Sequence, residues 1–209
     1  MKSYLRFLSR NKLYTAIEVV GLSVALAFVL IIGSYVWQEY SISRENPDYE
    51  RIYIPTQPMP YGIFEPMKEQ IPEIEKITLV NSFDDVVMEC DDERLVTRGL
   101  AVRGDFFDIF DYEFLIGDAG CLESYSDIII SESYAVKLAG NPELAVGMKI
   151  VPVDYPSQAY TVTGVIKDFD NNYWKYMDFI CKGESPLNDS AQKNPIFTLS
   201  ATAFIQVAE

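Results

Sequence analysis

Histidine is absent, cysteine occurs three times, and bases are scarce beyond the first dozen residues. The missing imidazole excludes Ser-His-Asp and Cys-His catalysis, and zinc or copper sites built on histidine. Cys90, Cys121 and Cys181 are too few and too scattered for a disulfide scaffold or a thiolate metal centre. At most one bridge can form. Free cysteine is mostly buried, so buried, unpaired thiols are the plainer expectation, and pairing stays open. Residues 38–209 hold 13 of the 17 bases and 30 of the 31 acids, a formal charge of −17. Such a surface repels phosphate backbones and argues against nucleic acid as a partner.

Several motifs are missing as well. There is no G-x-x-x-x-G-K-[ST], no G-x-G-x-x-G and no G-x-S-x-G. Asp168, Asp170 and Asn172 imitate the start of a calcium loop, but Tyr173 stands where Gly is required and Phe179 where a bidentate Glu belongs. They read as a polar turn. No catalytic, cofactor-binding or metal-ligating residue is assigned, and no enzyme activity is expected. Apolar residues make up 49% of the chain and aromatics 13%, which argues against disorder.

One long apolar run is present. Val19–Trp37 is 19 residues without charge or proline. At about 1.5 Å per residue it is roughly 28 Å of helix, near the ~30 Å hydrocarbon core of a bilayer. Tyr14 at one end and Tyr35, Trp37 and Tyr40 at the other suit the headgroup zones. A cleaved signal peptide is the competing reading, with Ala25-Leu26-Ala27 as its cleavage site. The apolar run, however, continues past that site through Phe28–Tyr35, which favours an uncleaved anchor over 13–40. Lys2, Arg6, Arg10 and Lys12 precede the helix without an acid, so the N-terminus is expected in the cytoplasm and everything from Gln38 outside it. Residues 1–12 read as a basic amphipathic segment on anionic lipid, or as a plain positive flank. Glu18 inside the span faces protein or snorkels beside Lys12. Gly21 with Ala25, and Ser23 with Ala27, permit close helix contact.

Residues 41–209 mix strands with short helices, an α+β pattern for one domain or two small lobes of one. Strands are expected at Arg51–Ile54, Ile74–Val80, Val86–Cys90, Leu95–Val102, Asp127–Ser131, Met148–Val153 and Tyr160–Ile166. Asp91-Asp92-Glu93 reads as a hairpin turn and Asp154–Ser157 as another. Helices are expected within 61–70, at Phe106–Phe110, and from Glu132 to Ala139, capped by Ser131 and stopped by Gly140. At the end, Phe197, Leu199, Ala201, Ala203, Ile205 and Val207 alternate with polar residues, Phe204 excepted. That pattern predicts a half-buried strand.

Several segments together resemble one family. Arg10-Asn-Lys-Leu-Tyr-Thr-Ala-Ile17 and Val20-Gly-Leu-Ser-Val-Ala-Leu-Ala27 resemble the first membrane helix of MacB/FtsX/LolC-type ABC transporter permeases. Asp48-Tyr-Glu-Arg-Ile-Tyr53 is similar to the stretch entering their MacB-like periplasmic core domain. Gly104-Asp-Phe-Phe-Asp-Ile-Phe110 with Phe114-Leu-Ile-Gly-Asp118, Ile128-Ile-Ile-Ser-Glu-Ser-Tyr-Ala135 with Gly140 and Val146-Gly147, and Tyr160-Thr-Val-Thr-Gly-Val-Ile-Lys-Asp168 resemble further elements of it. The match spans roughly residues 10–180. Glu18 stands where Asn is expected. Family members carry four membrane helices and this chain one, so it looks like the N-terminal part of a permease.

The resemblance implies a single-pass chain in the bacterial cytoplasmic (inner) membrane, with its main domain in the periplasm. It implies a separate cytoplasmic ATPase, a permease dimer and a periplasmic partner protein. The helix 13–40 is expected to connect stiffly to the domain. Macrolides, peptides, lipoproteins and a purely regulatory output all fit as what the complex acts on. Two other readings compete: a membrane-tethered scaffold without energy coupling, and a hydrolase marked by a deep pocket with two acids about 5–10 Å apart.

Overall fold

The uncharged run folds as expected. In the computed structural model, helix α1 runs Lys12–Ser41, 30 residues or about 45 Å. The structure describes residues 12–41, 48–60, 63–91, 93–168, 174, 176–183 and 200–208. The basic segment 1–11 lies outside them, and so does the 42–47 connection on which stiffness was expected to depend. The helix is apolar on every side, and Leu22 and Trp37 are 72% and 75% exposed. It is long and apolar enough to cross a membrane. Ser23 and Ser34 donate their hydroxyls back to the carbonyls of Val19 and Ile31, at 2.7 and 2.8 Å. Both hydroxyls are thus satisfied within the helix, as lipid requires.

Residues 45–209 form a separate compact unit. In chain order it contains β1 (Ile52–Tyr53), β2 (Met59–Pro60), α2 (Phe64–Gln70), β3 (Ile74–Cys90), β4 (Glu93–Gly104), α3 (Phe106–Ile109) and β5 (Phe114–Ile116). There follow β6 (Asp127–Ser131), α4 (Glu132–Ala139), α5 (Pro142–Ala145), β7 (Lys149–Pro152), β8 (Tyr160–Ile166), β9 (Phe179–Lys182) and β10 (Ser200–Val207). The architecture is α+β, with one ten-stranded sheet.

The strands expected at 74–80 and 86–90 are one strand of 17 residues, β3. The polar Ser82–Asp85 stretch does not end it, because β4 pairs along both parts with a register shift between Phe83 and Val86. Asp85 takes a positive φ of 55° at that irregularity. A bulge absorbs the interruption and bends the ladder. The helix within 61–70 begins at Phe64, which puts Pro66 in the first turn, where a missing N–H is tolerated. The other junctions follow the sequence closely. Ser131 caps α4 by accepting from the Tyr134 amide at 3.3 Å, and Gly140 ends it at φ 73°. Asp91 turns the β3–β4 hairpin with φ 47°.

Sheet curvature decides where the core sits. β7 pairs with both β3 and β8, so β3, β4, β9, β6, β8 and β7 form a closed circuit of ladders. Met88, Ile128, Ile130, Ile150, Val162, Phe179 and Cys181 from these strands pack into one cluster with Tyr134 and Ala135 of α4. A second cluster joins alternate strand residues, among them Leu100, Ile129 and Ile180, to the aromatics of α3. Phe106 stacks on Tyr112 at 5.5 Å, and Phe110 meets Trp174 at 4.8 Å.

The C-terminal strand departs from expectation. Ala201 and Ala203 face Ile77 and Leu79 as the alternation predicts. The other face is covered too: Phe204 is 3% exposed against Phe110 and Trp174, and Gln206 is 1% exposed. β10 lies between β1 and β3 and is an interior strand whose second face is buried at Phe204 and Gln206, while Thr202 on that face stays exposed. Phe197 and Leu199 lie outside the described residues.

Candidate functional site

Two constructions stand out in the domain. The first ties its beginning to its end. Arg51 ends a short 3₁₀ turn, Tyr49–Arg51, and its side chain forks three ways. Nε donates to the carbonyl oxygen of Val207 at 2.8 Å, Nη1 to Asp48 Oδ1 at 3.2 Å, and Nη2 to the Glu75 carboxylate. Gln206 Nε2 reaches the other Asp48 oxygen at 2.9 Å. Partial burial alone would lower the Arg51 guanidinium pKa, but Glu75 and Asp48 more than offset it and hold the group above its ordinary value. Around this fork β1 pairs with β10, Ile52 opposite Gln206, and the Ala208 amide donates to the Glu73 carbonyl at 2.9 Å. Gln206 Oε1 is buried without a hydrogen-bond partner among the described residues.

The second construction is a cleft of ≈ 470 Å³ where β4, α4 and the segment before β9 meet. Asp178 is its hub. Its Oδ2 accepts from the Arg98 amide at 2.9 Å, its own amide donates to the Arg98 carbonyl at 2.7 Å, and its carbonyl accepts from the Ser131 amide at 2.9 Å. Lys137 Nζ stands 3.9 Å from its other oxygen. Asp168 Oδ1 accepts from the Ser133 amide at 3.0 Å, so this acid of the expected polar turn caps α4 jointly with Ser131. Asp170 and Asn172 lie outside the described residues.

The cleft thus gathers Asp85, Asp168 and Asp178, the sort of grouping a carboxylate hydrolase would need. Asp168 and Asp178 are engaged in holding a helix and three strands together. Beneath them, burial drives the Tyr134 phenol well above its ordinary range, and the charge of Asp178 adds to the effect. Among the described residues the Tyr134 hydroxyl has no hydrogen-bond partner. Burial also pushes the Cys181 thiol up to about 12, and Cys90 rises with burial beside Asp91 and Glu93. All three cysteines are free; Cys90 and Cys181 are buried, and Cys121 is half-buried.

The Asp48–Tyr53 stretch was visible in the sequence, but the task of Arg51 was not. Its partner strand is more than 150 positions away. The cleft had one sequence signal, the polar turn at Asp168.

Residues 15–181 match the family model of the MacB-like periplasmic core domain. The chain belongs to that family, whose domain is a part of ABC transporter permeases. Solved structures share the fold. A domain of a protein named as a permease from Porphyromonas gingivalis superposes with a TM-score of 0.67 at 21% identity, covering 80% of this chain and 77% of that one. The periplasmic region of MacB from Actinobacillus actinomycetemcomitans gives 0.51 at 13% identity, over 76% and 73%. The extracellular domain of the noncanonic ABC-type transporter YknZ from Gram-positive bacteria gives 0.53 at 12%, over 73% and 74%. A search of curated proteins finds no match.

Proposed function

We propose that this chain is the N-terminal part of a permease subunit of a MacB/FtsX-type ABC transporter. A separate cytoplasmic ATPase drives it, and it works as a permease dimer. Helix 13–40 spans the bacterial cytoplasmic membrane once, with residues 1–12 inside and the domain 41–209 outside. The domain passes ATP-driven motion to an exported substrate or to a periplasmic partner. The observation that carries this reading is the Arg51 fork. A force arriving along the polypeptide at Asp48 would enter β10 at Gln206 and Val207 directly, and from there its ladder partner β3.

The test is purification of the full chain in mild detergent from its native cells, with ATP hydrolysis measured in the eluate. Recovery of an ATP-hydrolysing subunit, whose turnover changes when Arg51 is replaced, is the expected outcome. Recovery of the chain in membranes without any such subunit would select the tethered scaffold instead. In a Cys121→Ser background, which removes the accessible native thiol, a cysteine placed at position 3 should resist a membrane-impermeant maleimide in intact cells, whereas one at Ser157 should react; the reverse pattern overturns the topology.

A further inference from the structure

Along a strand the N–H and C=O of one residue point to the same side, and successive residues alternate. In β4, Arg98 and Val102 point towards β9. The Asp178 amide meets the Arg98 carbonyl at 2.7 Å, and the Gly183 amide meets the Val102 carbonyl at 2.8 Å. Pairing with β3 is regular from Val86–Thr97 to Cys90–Glu93, so Val96 and Arg94 face the same side as Arg98. There β9 has already stopped, for its first residue, Phe179, lies opposite Gly99. Among the described residues, the backbone groups of Arg94 and Val96 have no ladder partner on that side.

This edge, unpaired among the described residues, runs beside the cleft. Val96 lines the cleft and its side chain is 66% exposed. Proteins usually shield such an edge with proline, an inward charge or a covering loop, because it templates another strand. The charges nearby are mostly matched: Arg94 pairs with Glu89 at 2.6 Å, Arg98 with Asp84 at 3.6 Å, and Lys137 with Asp178. Among the described residues the carboxylates of Asp85 and Glu93 have no such cation, so the unmatched charge is negative. It is part of the −17 carried by residues 38–209.

We infer that the Arg94–Val96 edge of β4 is a strand-addition site for a basic, extended segment of another polypeptide. Main-chain hydrogen bonds would supply the affinity, and the acidic surround would select bases over acids. The inference goes beyond the transport reading and holds whether or not an ATPase drives the chain.

The experiment uses the full chain in detergent micelles and a capped six-residue peptide alternating lysine with valine. Two controls accompany it: glutamate in place of lysine, and alternate backbone nitrogens methylated. The lysine peptide is expected to bind at least tenfold more tightly than either control, and to slow exchange of the Arg94 and Val96 amides at least tenfold. Equal binding of the methylated peptide, or protection elsewhere, would overturn the inference, as would no binding at all. Concentration-dependent protection of the same amides without peptide would assign the edge to a second copy and also overturn it. Val96→Pro should abolish binding, and the methylated peptide makes the same test on an unaltered protein should that variant not fold.

Discussion

Arg51 Nε lies 2.8 Å from the carbonyl oxygen of Val207, 156 positions further along the chain. One planar guanidinium bridges the Tyr49–Arg51 turn and β10, and Asp48 and Glu75 each accept from one of its two terminal nitrogens. Arginine suits this place because its fork offers several donors at fixed angles, which lysine lacks. Arg51→Ala should raise amide exchange of Ile52 and Tyr53 at least tenfold and lower the unfolding temperature by several degrees. Arg51→Lys should fall between. Unchanged exchange in Arg51→Ala would show that the β1–β10 ladder does not need the fork.

Gly99 has no room for a side chain. A Cβ there would sit 2.0 Å from Phe179 Cζ, because the Phe179 ring lies over its register partner. Gly99→Ala should cost about 1–3 kcal/mol by overpacking, measured by chemical denaturation. Gly99→Ala combined with Phe179→Leu should cost clearly less than the two single changes added together. Simple additivity would refute the steric cause.

Ser131 is 2% exposed and accepts from the Tyr134 amide at the start of α4. Ser131→Ala should cost about 1 kcal/mol, the usual worth of an N-cap, while Ser131→Thr should keep most of it. Asp168→Ala removes the neighbouring acceptor for the Ser133 amide and should loosen the same turn, read as faster exchange of both amides.

The buried thiol of Cys181 makes the domain sensitive to alkali. Folding lifts it from an ordinary 9.0 to about 12, so between those values the unfolded chain releases a proton that the folded one keeps. Stability is unaffected below that window and falls as pH rises through it, by up to about 1.4 kcal/mol per pH unit for the one group. Cys90 and Tyr134, both raised, act in the same direction. Cys181→Val should flatten the alkaline limb of the stability curve, and an unchanged slope would assign it to other groups. In the folded protein, maleimide should reach half-buried Cys121 well before Cys90 or Cys181.

Local signals carried much of this molecule. Helix α1 follows from a run of residues with no charge to interrupt it. The Ser131 cap, the Gly140 stop and the Asp91 turn follow from backbone rules that act over a few residues. The family resemblance rested on those same short stretches, and the match over residues 15–181 agrees with it. Tertiary structure decided what depends on distant partners. The continuity of β3 comes from β4 pairing on both sides of a polar gap, and the burial of Phe204 and Gln206 comes from strands and aromatics on both flanks of β10. The Arg51 fork and the Asp178 hub both arise where closure of the sheet brings together residues far separated in sequence. Sequence periodicity reports which face of a strand is apolar. It does not report which strand lies alongside, because pairing is set by long-range packing and loop closure rather than by neighbours along the chain.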